Sequence, residues 1–520
     1  MKKDNSLSPL IEFRHIRKEF GPVIANADLN FFVKEANIHA IIGENGAGKS
    51  TAMKMLYGMY APTEGQILLR GQICNFHSPH PAIAKGIGMV HQHFMLAGSH
   101  SVLDNILLGA EATPAFFPIK RKKAKEELCH IMEQYGILAS LDALVGDLSV
   151  GEQQRVEILK ILYRKSEILI LDEPTAVLTP QEIKDLFANL RKMREQGKTI
   201  LIITHKLKEV MALADKTTVF RAGNVVAEKV VKESSVEELS QLMVGRKVDL
   251  RVRVNAKPVP VIDNPVLEIK NLCVLSQGSK KAKIPKLNLN VRAGEIVGIA
   301  GVEGNGQSEL IKAIIFAKEK KYRNSGSIII DGINANNYTC EEIRKLGVSL
   351  LAENRLKESL LLHKTLLENY LLGHHQNEKF QNKGFLRWQN IKQETITALN
   401  EYNIHPRNPL NMVAELSGGN QQKLVVAREL LHAPKLLIAA QPTRGVDIGA
   451  IESIHKKIFS LRNAGTGILL LSAELDEILA LSDRILVMFN GEIVAEFTHE
   501  DADEVKIGFF MGGGKIGEAS

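Results

Sequence analysis

The sequence predicts an α/β protein made of two tandem copies of one domain, each with a helical subdomain. Short, continuous apolar runs before Asp172, from Thr199 and from Gly467 are typical of parallel strands covered on both faces. The segment "NIHAII" predicts another buried strand, and "STAMKMLYGMY", a little further on, predicts a helix. Leu-rich, charged segments between Met95 and Asp147 and between Arg355 and Glu415 predict the helical subdomains.

An internal repeat defines the two domains. "LSVGEQQRVEILK" from Leu148 matches "LSGGNQQKLVVAREL" from Leu416, an offset of 416 − 148 = 268 residues. The sequence places one domain at residues 8–246 and the other at residues 266–512. Residues 247–265 contain three prolines and are predicted to be the linker.

Composition excludes several classes of protein. Of the 520 residues, 45% are hydrophobic and 24% are charged, as in ordinary globular proteins. No apolar run approaches the roughly 18 residues that span a bilayer, and the N-terminal segment lacks the apolar region of a signal peptide. The net charge of +7 is interspersed, which favours a solvated surface over attraction to nucleic acid or an anionic membrane.

The four cysteines, Cys74, Cys129, Cys273 and Cys340, are scattered and form no CxxC pair. This pattern argues against a zinc site and against a disulfide framework. We therefore expect reduced thiols in the cytosol.

Each domain carries a glycine-rich segment, and the two segments differ at one critical position. "GENGAGKST" has the GxxxxGK[ST] spacing over Gly43, Glu44, Asn45, Gly46, Ala47, Gly48, Lys49, Ser50 and Thr51. Such a loop turns backbone N–H groups toward a polyphosphate, while the Lys reaches the outer phosphates and the hydroxyl ligates Mg²⁺. "GVEGNGQSE" repeats the frame from Gly301 but has Gln307 in place of Lys49.

With these motifs in order and repeated, the chain from Ile11 to about Phe510 resembles the tandem ATPase subunits of bacterial ATP-binding cassette (ABC) importers for simple sugars and nucleosides. The strings "MVHQHFML" and "AAQPTRGVDIGAIE" look more like the nucleoside branch, which basic-membrane-protein-type lipoproteins serve. The resemblance implies two tandem P-loop ABC-type nucleotide-binding domains that use ATP and Mg²⁺.

The resemblance also implies roles for residues of the first half. Lys49 and the loop amides would hold the phosphates, and Ser50, Gln92 and Asp172 would organise Mg²⁺. Glu173, beside Asp172 at the end of a buried strand, is placed to polarise the attacking water, and His205 would contact the γ-phosphate. Phe20 resembles the aromatic residue that stacks on adenine, although it could equally be a core residue.

The second half departs from this pattern at five positions: Gln307, Glu353, Ala440, Gln441 and Ala473 stand where the first half has Lys49, Gln92, Asp172, Glu173 and His205. Losing one electrostatic contact can cost about 10²–10³ in rate, so hydrolysis there should be negligible. The backbone from Gly301 to Gly306 and Ser308 could still hold a nucleotide.

If two cassettes pair face to face, each site is composite. The intact set would then lie against Ser417, Gly418, Gly419 and Gln421, at the start of a helix in the other half. The altered loop would lie against Ser149, Val150, Gly151 and Gln153. Pairing within one chain and pairing with a second cassette chain both remain open.

The resemblance implies a peripheral protein on the cytoplasmic face of the inner membrane, docked on two transmembrane permease subunits. A solute-binding lipoprotein or periplasmic protein would complete the complex, and no nucleic acid is expected. The leading rival is a soluble tandem cassette acting on the ribosome or nucleic acid, which usually has a long charged arm and two competent sites. A cassette ATPase of DNA repair would carry long coiled-coil inserts or zinc cysteines, and the sequence has neither.

Overall fold

A computed structural model describes residues 9–21, 23–92, 94–110, 121–175, 178–246, 265–275, 282–302, 304–323 and 325–514. These residues form two compact units, one ending at Arg246 and the other beginning at Pro265. All of the predicted linker except Pro265 lies outside the described residues. The predicted bounds of the linker and of the two domains therefore stay predictions.

Ten strands run through the first unit's described residues. They are β1 (Ile11–Phe20), β2 (Val23–Val33), β3 (Ile38–Gly43), β4 (Glu64–Leu69), β5 (Gln72–Cys74), β6 (Ile87–Val90), β7 (Ile168–Asp172), β8 (Thr199–Thr204), β9 (Lys216–Arg221) and β10 (Asn224–Val230). The helices between and after them are α1 (Lys49–Leu56), α2 (Pro79–Ala84), α3 (Val102–Leu107), α4 (Arg121–Tyr135), α5 (Val150–Tyr163), α6 (Pro180–Glu195), α7 (Leu207–Leu213) and α8 (Val236–Val244).

These strands form one sheet in the order β5-β4-β1-β2-β10-β9-β3-β8-β7-β6. The strands from β9 through β3, β8 and β7 to β6 pair in parallel, whereas β1, β2, β4 and β5 pair antiparallel. The parallel part is the predicted α/β core. The antiparallel part has half-buried strands and was not predicted from the sequence.

The parallel strands separate two hydrophobic clusters, which explains their continuous apolar runs. In β7, Ile168 and Ile170 belong to the cluster that includes α1, while Leu169 and Leu171 belong to the cluster that includes α5 and α6. Each strand is thus covered on both faces, as the sequence predicts.

The second unit repeats this plan. Its strands are β11 (Leu267–Leu275), β12 (Ala282–Val291), β13 (Ile296–Ala300), β14 (Ser325–Ile330), β15 (Ile333–Asn334), β16 (Val348–Leu351), β17 (Gln381–Asn382), β18 (Phe385–Leu386), β19 (Leu436–Ala440), β20 (Gly467–Ser472), β21 (Arg484–Phe489) and β22 (Glu492–Thr498). Its helices are α9 (Gln307–Ile315), α10 (Cys340–Lys345), α11 (Leu366–Leu371), α12 (Trp388–Glu401), α13 (Gly418–Glu429), α14 (Ile448–Asn463), α15 (Leu475–Leu481) and α16 (Glu504–Met511).

Here the strands divide into a six-stranded sheet, β16-β19-β20-β13-β21-β22, and an antiparallel four-stranded sheet, β12-β11-β14-β15. In the six-stranded sheet only the β21–β22 pair is antiparallel. The predicted helical subdomain contains α11 and α12. It also contains the short hairpin β17–β18, which the sequence reasoning missed.

The helix after the first glycine-rich loop ends at Leu56, so the predicted continuation through Tyr60 is wrong. Gly58, with φ of 83°, lies just beyond this end and favours a turn. Among the described residues, no helix combines the length and apolar character needed to cross a bilayer.

Candidate functional site

The first glycine-rich loop connects the end of β3 to the start of α1. Gly43 is the last residue of β3 and Lys49 the first of α1. Gly48 precedes the helix with φ of 93°, and a Cβ there would collide with the side chain of Asn26. The fully buried Asn26 in turn donates a hydrogen bond of 3.2 Å to the carbonyl oxygen of Gly48. This packing fixes a helix N-terminus, whose free N–H groups favour an anion.

Lys49 lies inside this loop with its ammonium group held by backbone. Its Nζ donates to the carbonyl oxygens of Gly43 at 2.7 Å and Glu44 at 2.9 Å, and the residue is 6% exposed. Burial lowers the pKa of Lys49, and the carboxylates of Glu173, Asp172 and Glu44 act in the opposite direction. The loop therefore presents a buried, preorganised cation.

Asp172 ends β7 beside the first turn of α1. The hydroxyl of Ser50 donates to its Oδ1 over 3.3 Å. Burial raises the pKa of Asp172, and the hydrogen bond from Ser50 offsets part of that effect. A buried carboxylate gains from a cation nearby, and hydroxyl and carboxylate oxygens are donors that Mg²⁺ accepts.

Glu173 follows with a left-handed backbone, φ 49°, and its N–H donates to the carbonyl oxygen of Ile203 at 2.9 Å. This conformation directs its side chain toward two others. Its Oε1 lies 2.9 Å from Nδ1 of His205, and Nε2 of Gln92 donates to its Oε2 at 3.4 Å. Burial opposes ionisation of Glu173, but the hydrogen bond with His205 and nearby positive charge outweigh it, so its pKa lies below the ordinary value. Glu173 is thus a carboxylate at neutral pH.

The sheet order explains why these residues meet. The loop follows β3, His205 follows β8, Glu173 follows β7, and Gln92 lies two residues beyond β6. Those four strands are parallel neighbours in the order β3-β8-β7-β6. Their carboxyl ends lie along one edge, where open α/β sheets bind ligands.

Phe20 does not belong to the core. Its side chain is 41% exposed, its ring lies edge-on to Tyr60 at 5.1 Å, and Nζ of Lys18 lies 5.0 Å from its centroid. The core interpretation is therefore wrong. A role in stacking on adenine stays a prediction.

The "LSVGEQ" and "LSGGNQ" segments begin helices with serine caps, as predicted. Ser149 accepts a hydrogen bond from the N–H of Glu152 at the start of α5, and Ser417 accepts one from Asn420 at the start of α13. Gln421 is 8% exposed and donates to the carbonyl oxygen of Val413 at 3.3 Å. Within the second unit, its side chain is thus engaged with the segment before its own helix.

The family of this chain follows from its similarity to known proteins. A family model described as "ABC transporter" matches residues 27–176 and 284–444. The chain is 43% identical over 511 residues to the nucleoside import ATP-binding protein NupA of Lactococcus lactis subsp. cremoris, covering 98% of this chain and 99% of that protein. It is also 43% identical over 510 residues to the guanosine import ATP-binding protein NupO of Bacillus subtilis, covering 98% of each. The chain belongs to the ABC transporter family.

It is accordingly an ATP-binding cassette ATPase, and its two units are cassettes. Among solved structures, an archaeal ribosome recycling factor in complex with a ribosomal stalk protein aligns with a TM-score of 0.61. That alignment covers 93% of this chain and 90% of the other at 20% identity, and it shows the tandem fold alone.

The second cassette repeats the left-handed glycine before its helix, and a different residue follows it. Gly306 precedes α9 with φ of 111°, and Nε2 of Gln307 donates to the carbonyl oxygen of Val302 at 3.1 Å. Val302 matches Glu44 in the repeat, so the amide of Gln307 makes one of the two hydrogen bonds that Lys49 makes. It supplies no positive charge.

The other altered residues make local contacts. The hydroxyl of Ser308 donates to Oε2 of Glu353 at 2.8 Å, and Oε1 of Glu353 lies 3.3 Å from Nη1 of Arg444. Gln441 keeps the left-handed backbone of Glu173, with φ 49°, and accepts a hydrogen bond from the N–H of Ala473 at 3.2 Å. The residue after β19 therefore has the same backbone conformation as the residue after β7, with a different side chain.

Sequence reasoning missed three supporting side chains. Asn26 stands in β2, in the antiparallel part of the sheet, and it is buried between two half-buried alanines, a pattern that the sequence does not reveal. The buried Gln154, in α5, donates to the carbonyl oxygen of Pro174 at 2.5 Å, and Gln422 in α13 does the same to Pro442 at 2.8 Å. The paired "QQ" in both halves was the available signal, because each second Gln holds the segment after a strand end.

Proposed function

We propose that this chain energises nucleoside import by hydrolysing ATP in its first cassette. The arrangement of Glu173 between His205 and Gln92, close to the buried Lys49, carries this proposal. The second cassette has Gln441 and Ala473 at the matching positions and so offers no carboxylate to accept a proton there.

Mg²⁺ fits the donor set of the first cassette. The described residues contain no group of three or more His, Cys, Asp or Glu side chains suited to a metal. Mg²⁺ in nucleotide sites needs only one or two protein ligands, because phosphate and water oxygens complete its shell. Ser50 and Asp172, 3.3 Å apart, would supply these ligands, with Gln92 nearby.

Each side chain of the first cassette has a distinct part in hydrolysis. When bound, Mg²⁺ neutralises charge that develops on the transferred phosphoryl group. Lys49 and the N–H groups from Gly43 to Thr51 hold the phosphates in place. Glu173 would orient and deprotonate the attacking water, and His205 would orient Glu173 through Nδ1 and contact the γ-phosphate.

We further propose that a complete nucleotide site also needs the start of the helix that follows the "LSVGEQ" or "LSGGNQ" serine in another half. Ser417, Gly418 and Gly419 would contact the nucleotide held by the first cassette, while Ser149 and its neighbours would face the altered loop. Gln421 is left out of this proposal, because its buried side chain donates to the carbonyl oxygen of Val413. Ser149 and Ser417 support this proposal, because each caps the N-terminus of a helix, and a helix N-terminus favours the negative charge of a phosphate. Phe20 would stack on the adenine, because its ring is exposed.

The transported solute and the partners are inferred from the relatives. Both similar proteins are named for nucleoside or guanosine import, so we propose a nucleoside as the solute. Two membrane permeases and a solute-binding lipoprotein or periplasmic protein would complete the transporter. The chain would then lie at the cytoplasmic face of the inner membrane, held there by the permeases.

Uptake in cells tests this proposal. A strain whose chromosomal copy carries Glu173→Gln should lose uptake of labelled guanosine and uridine while retaining uptake of labelled ribose. The matched control is Gln441→Ala, which should leave nucleoside uptake intact. Loss of ribose uptake with normal nucleoside uptake would show that the solute is a sugar.

A further inference from the structure

The hairpin β17–β18 presents an aromatic ring on the surface of the second cassette. Its two strands are joined by Lys383 and Gly384, which both have a left-handed backbone, with φ of 49° and 86°. Neighbouring residues of a strand point to opposite faces, so Leu386 packs against the hydrophobic core while Phe385 points away from it. Phe385 is 81% exposed, which makes it the most exposed large hydrophobic side chain among the described residues.

The base of this hairpin is fixed to the body of the cassette. Phe380, which immediately precedes β17, is fully buried in the core. Its carbonyl oxygen accepts a hydrogen bond of 2.8 Å from the N–H of Arg387, which immediately follows β18. Within the hairpin, the N–H of Gly384 donates to Oε1 of Gln381 at 2.8 Å. The ring of Phe385 is therefore held outward by an anchored part of the fold.

Trp388 adds a second exposed ring directly after the hairpin. It is the first residue of α12 and is 51% exposed, while Ile391 in the same turn is buried. Residues four apart are neighbours on a helix, so the exposed Lys392 lies beside Trp388. Tryptophan is enriched where a membrane meets water, because its ring is apolar and its N–H can still reach a polar partner.

The charge around the two rings has one sign. Residues 379–393 contain four basic side chains and no acidic one. Lys379 forms an ion pair of 2.7 Å with Glu394. Three exposed cations remain without an ion pair in the part of the chain that the structure describes: Lys383, Arg387 and Lys392. Exposed rings among uncompensated cations match a surface that is both apolar and anionic, which is the chemistry of an anionic phospholipid headgroup layer.

We propose that Lys383, Phe385, Arg387, Trp388 and Lys392 form a lipid-contact patch that binds anionic phospholipid headgroups. The proposal rests on the membrane location proposed above, because the cytoplasmic leaflet carries anionic lipid. Stable attachment to a bilayer takes a second anchor besides one small patch, so the permeases still hold the chain. Basic and aromatic side chains also suit single-stranded nucleic acid, and the proposed location favours lipid over that ligand.

Tryptophan fluorescence tests the lipid-contact patch directly. Trp388 is the only tryptophan of the chain, so emission from the purified full-length protein reports on the patch alone. Vesicles of equal parts phosphatidylglycerol and phosphatidylcholine should shift this emission to shorter wavelength, and brominated acyl chains in them should quench it. Vesicles of phosphatidylcholine alone should do neither. Salt should reverse the shift, because the Debye length falls to about 3 Å at 1 M ionic strength.

Charge removal gives the magnitude. Lys383→Asn combined with Arg387→Gln should weaken the affinity for the anionic vesicles by about 10-fold or more, because each basic residue at an anionic surface is worth roughly fivefold in affinity. Asparagine tolerates the left-handed backbone at position 383, so the turn should persist. Lys318→Gln combined with Lys320→Gln is the matched control, which removes the same charge between α9 and β14 and should leave the affinity within about twofold. Phe385→Ser should also weaken binding, with loss of quenching by the brominated chains.

Several results would overturn the lipid-contact patch. These are unchanged Trp388 emission with anionic vesicles, an equal response to phosphatidylcholine, and equal affinity in the parent and the Lys383→Asn, Arg387→Gln variant. Tighter binding of a polyuridine oligonucleotide than of anionic vesicles at the same salt would assign the patch to nucleic acid instead. Glu173→Gln should bind vesicles as the parent does, and absence of the chain from membranes that contain its permeases would refute only the location. The patch and the proposed function therefore fail separately.

Discussion

Replacing Glu173 by Gln isolates the proton-accepting role of one oxygen. The change keeps the size of the side chain and an acceptor for Nδ1 of His205, which lies 2.9 Å away. It removes the negative charge that the hydrogen bond with His205 and nearby cations stabilise in the parent. A general base contributes on the order of 10²–10⁴ in rate, which corresponds to about 3–5 kcal/mol of transition-state stabilisation.

Steady-state phosphate release by the purified full-length chain should therefore fall about 10²-fold or more. ATP affinity, measured by equilibrium dialysis, should stay within about threefold, because Lys49 and the loop are untouched. Gln441→Ala, the matched change in the second cassette, should leave turnover within about twofold. Phosphate release by Glu173→Gln at more than a tenth of the parent rate would refute the assignment of Glu173 as the base.

Three further predictions concern stability, pairing and location. Burial lowers the pKa of His39 to about 3, so His39 stays neutral in the folded protein. In the unfolded chain the same side chain takes up a proton near pH 6.5. The free energy of unfolding therefore falls as the pH drops below 6.5. Urea unfolding followed by circular dichroism should show that the free energy of unfolding falls by about 2 kcal/mol between pH 7 and pH 5. His39→Gln should abolish this contribution to the pH dependence, and an unchanged pH dependence in the variant would refute the prediction. Ser417→Arg should lower ATP turnover more than Ser149→Arg, since only Ser417 is proposed to face the nucleotide that is hydrolysed. Equal losses of turnover would mean that the two nucleotide sites are equivalent or that the proposed pairing of cassettes is wrong. Expressed alone, the chain should fractionate apart from membranes, and with its permeases it should sediment with them and resist a salt wash; cosedimentation with ribosomes would support the rival function.

The parallel strands could be predicted because the burial of each strand leaves a signal within a few consecutive residues. Runs such as "ILIL" in β7 have every residue buried, since the strand is covered on both faces, and this leaves a continuous apolar signal. The antiparallel strands gave no such signal. β1 and β2 mix buried and exposed residues with irregular pairing between Phe13 and Lys18, which breaks the alternation on which recognition depends.

The site could be predicted as a set of residues but not as a set of contacts. Spacing identified Lys49, Asp172 and Glu173, because the loop and the strand ends have fixed sequence signatures. The hydrogen bond between Gln92 and Glu173 joins residues that are 81 apart in the chain. The sequence alone does not show which residues of distant segments come into contact. The ion pair of Glu353 and Arg444 was missed for the same reason, as the two are 91 residues apart.

The central claim is that hydrolysis belongs to the first cassette alone. Its most direct test compares one change at the same place in each loop, Lys49→Ala and Gln307→Ala, by phosphate release from the full-length chain at saturating ATP. Loss of the buried ammonium of Lys49 should lower turnover about 10²-fold or more, whereas loss of the Gln307 amide should leave it within about twofold. Equal losses in the two variants, or turnover that survives Lys49→Ala, would contradict the claim.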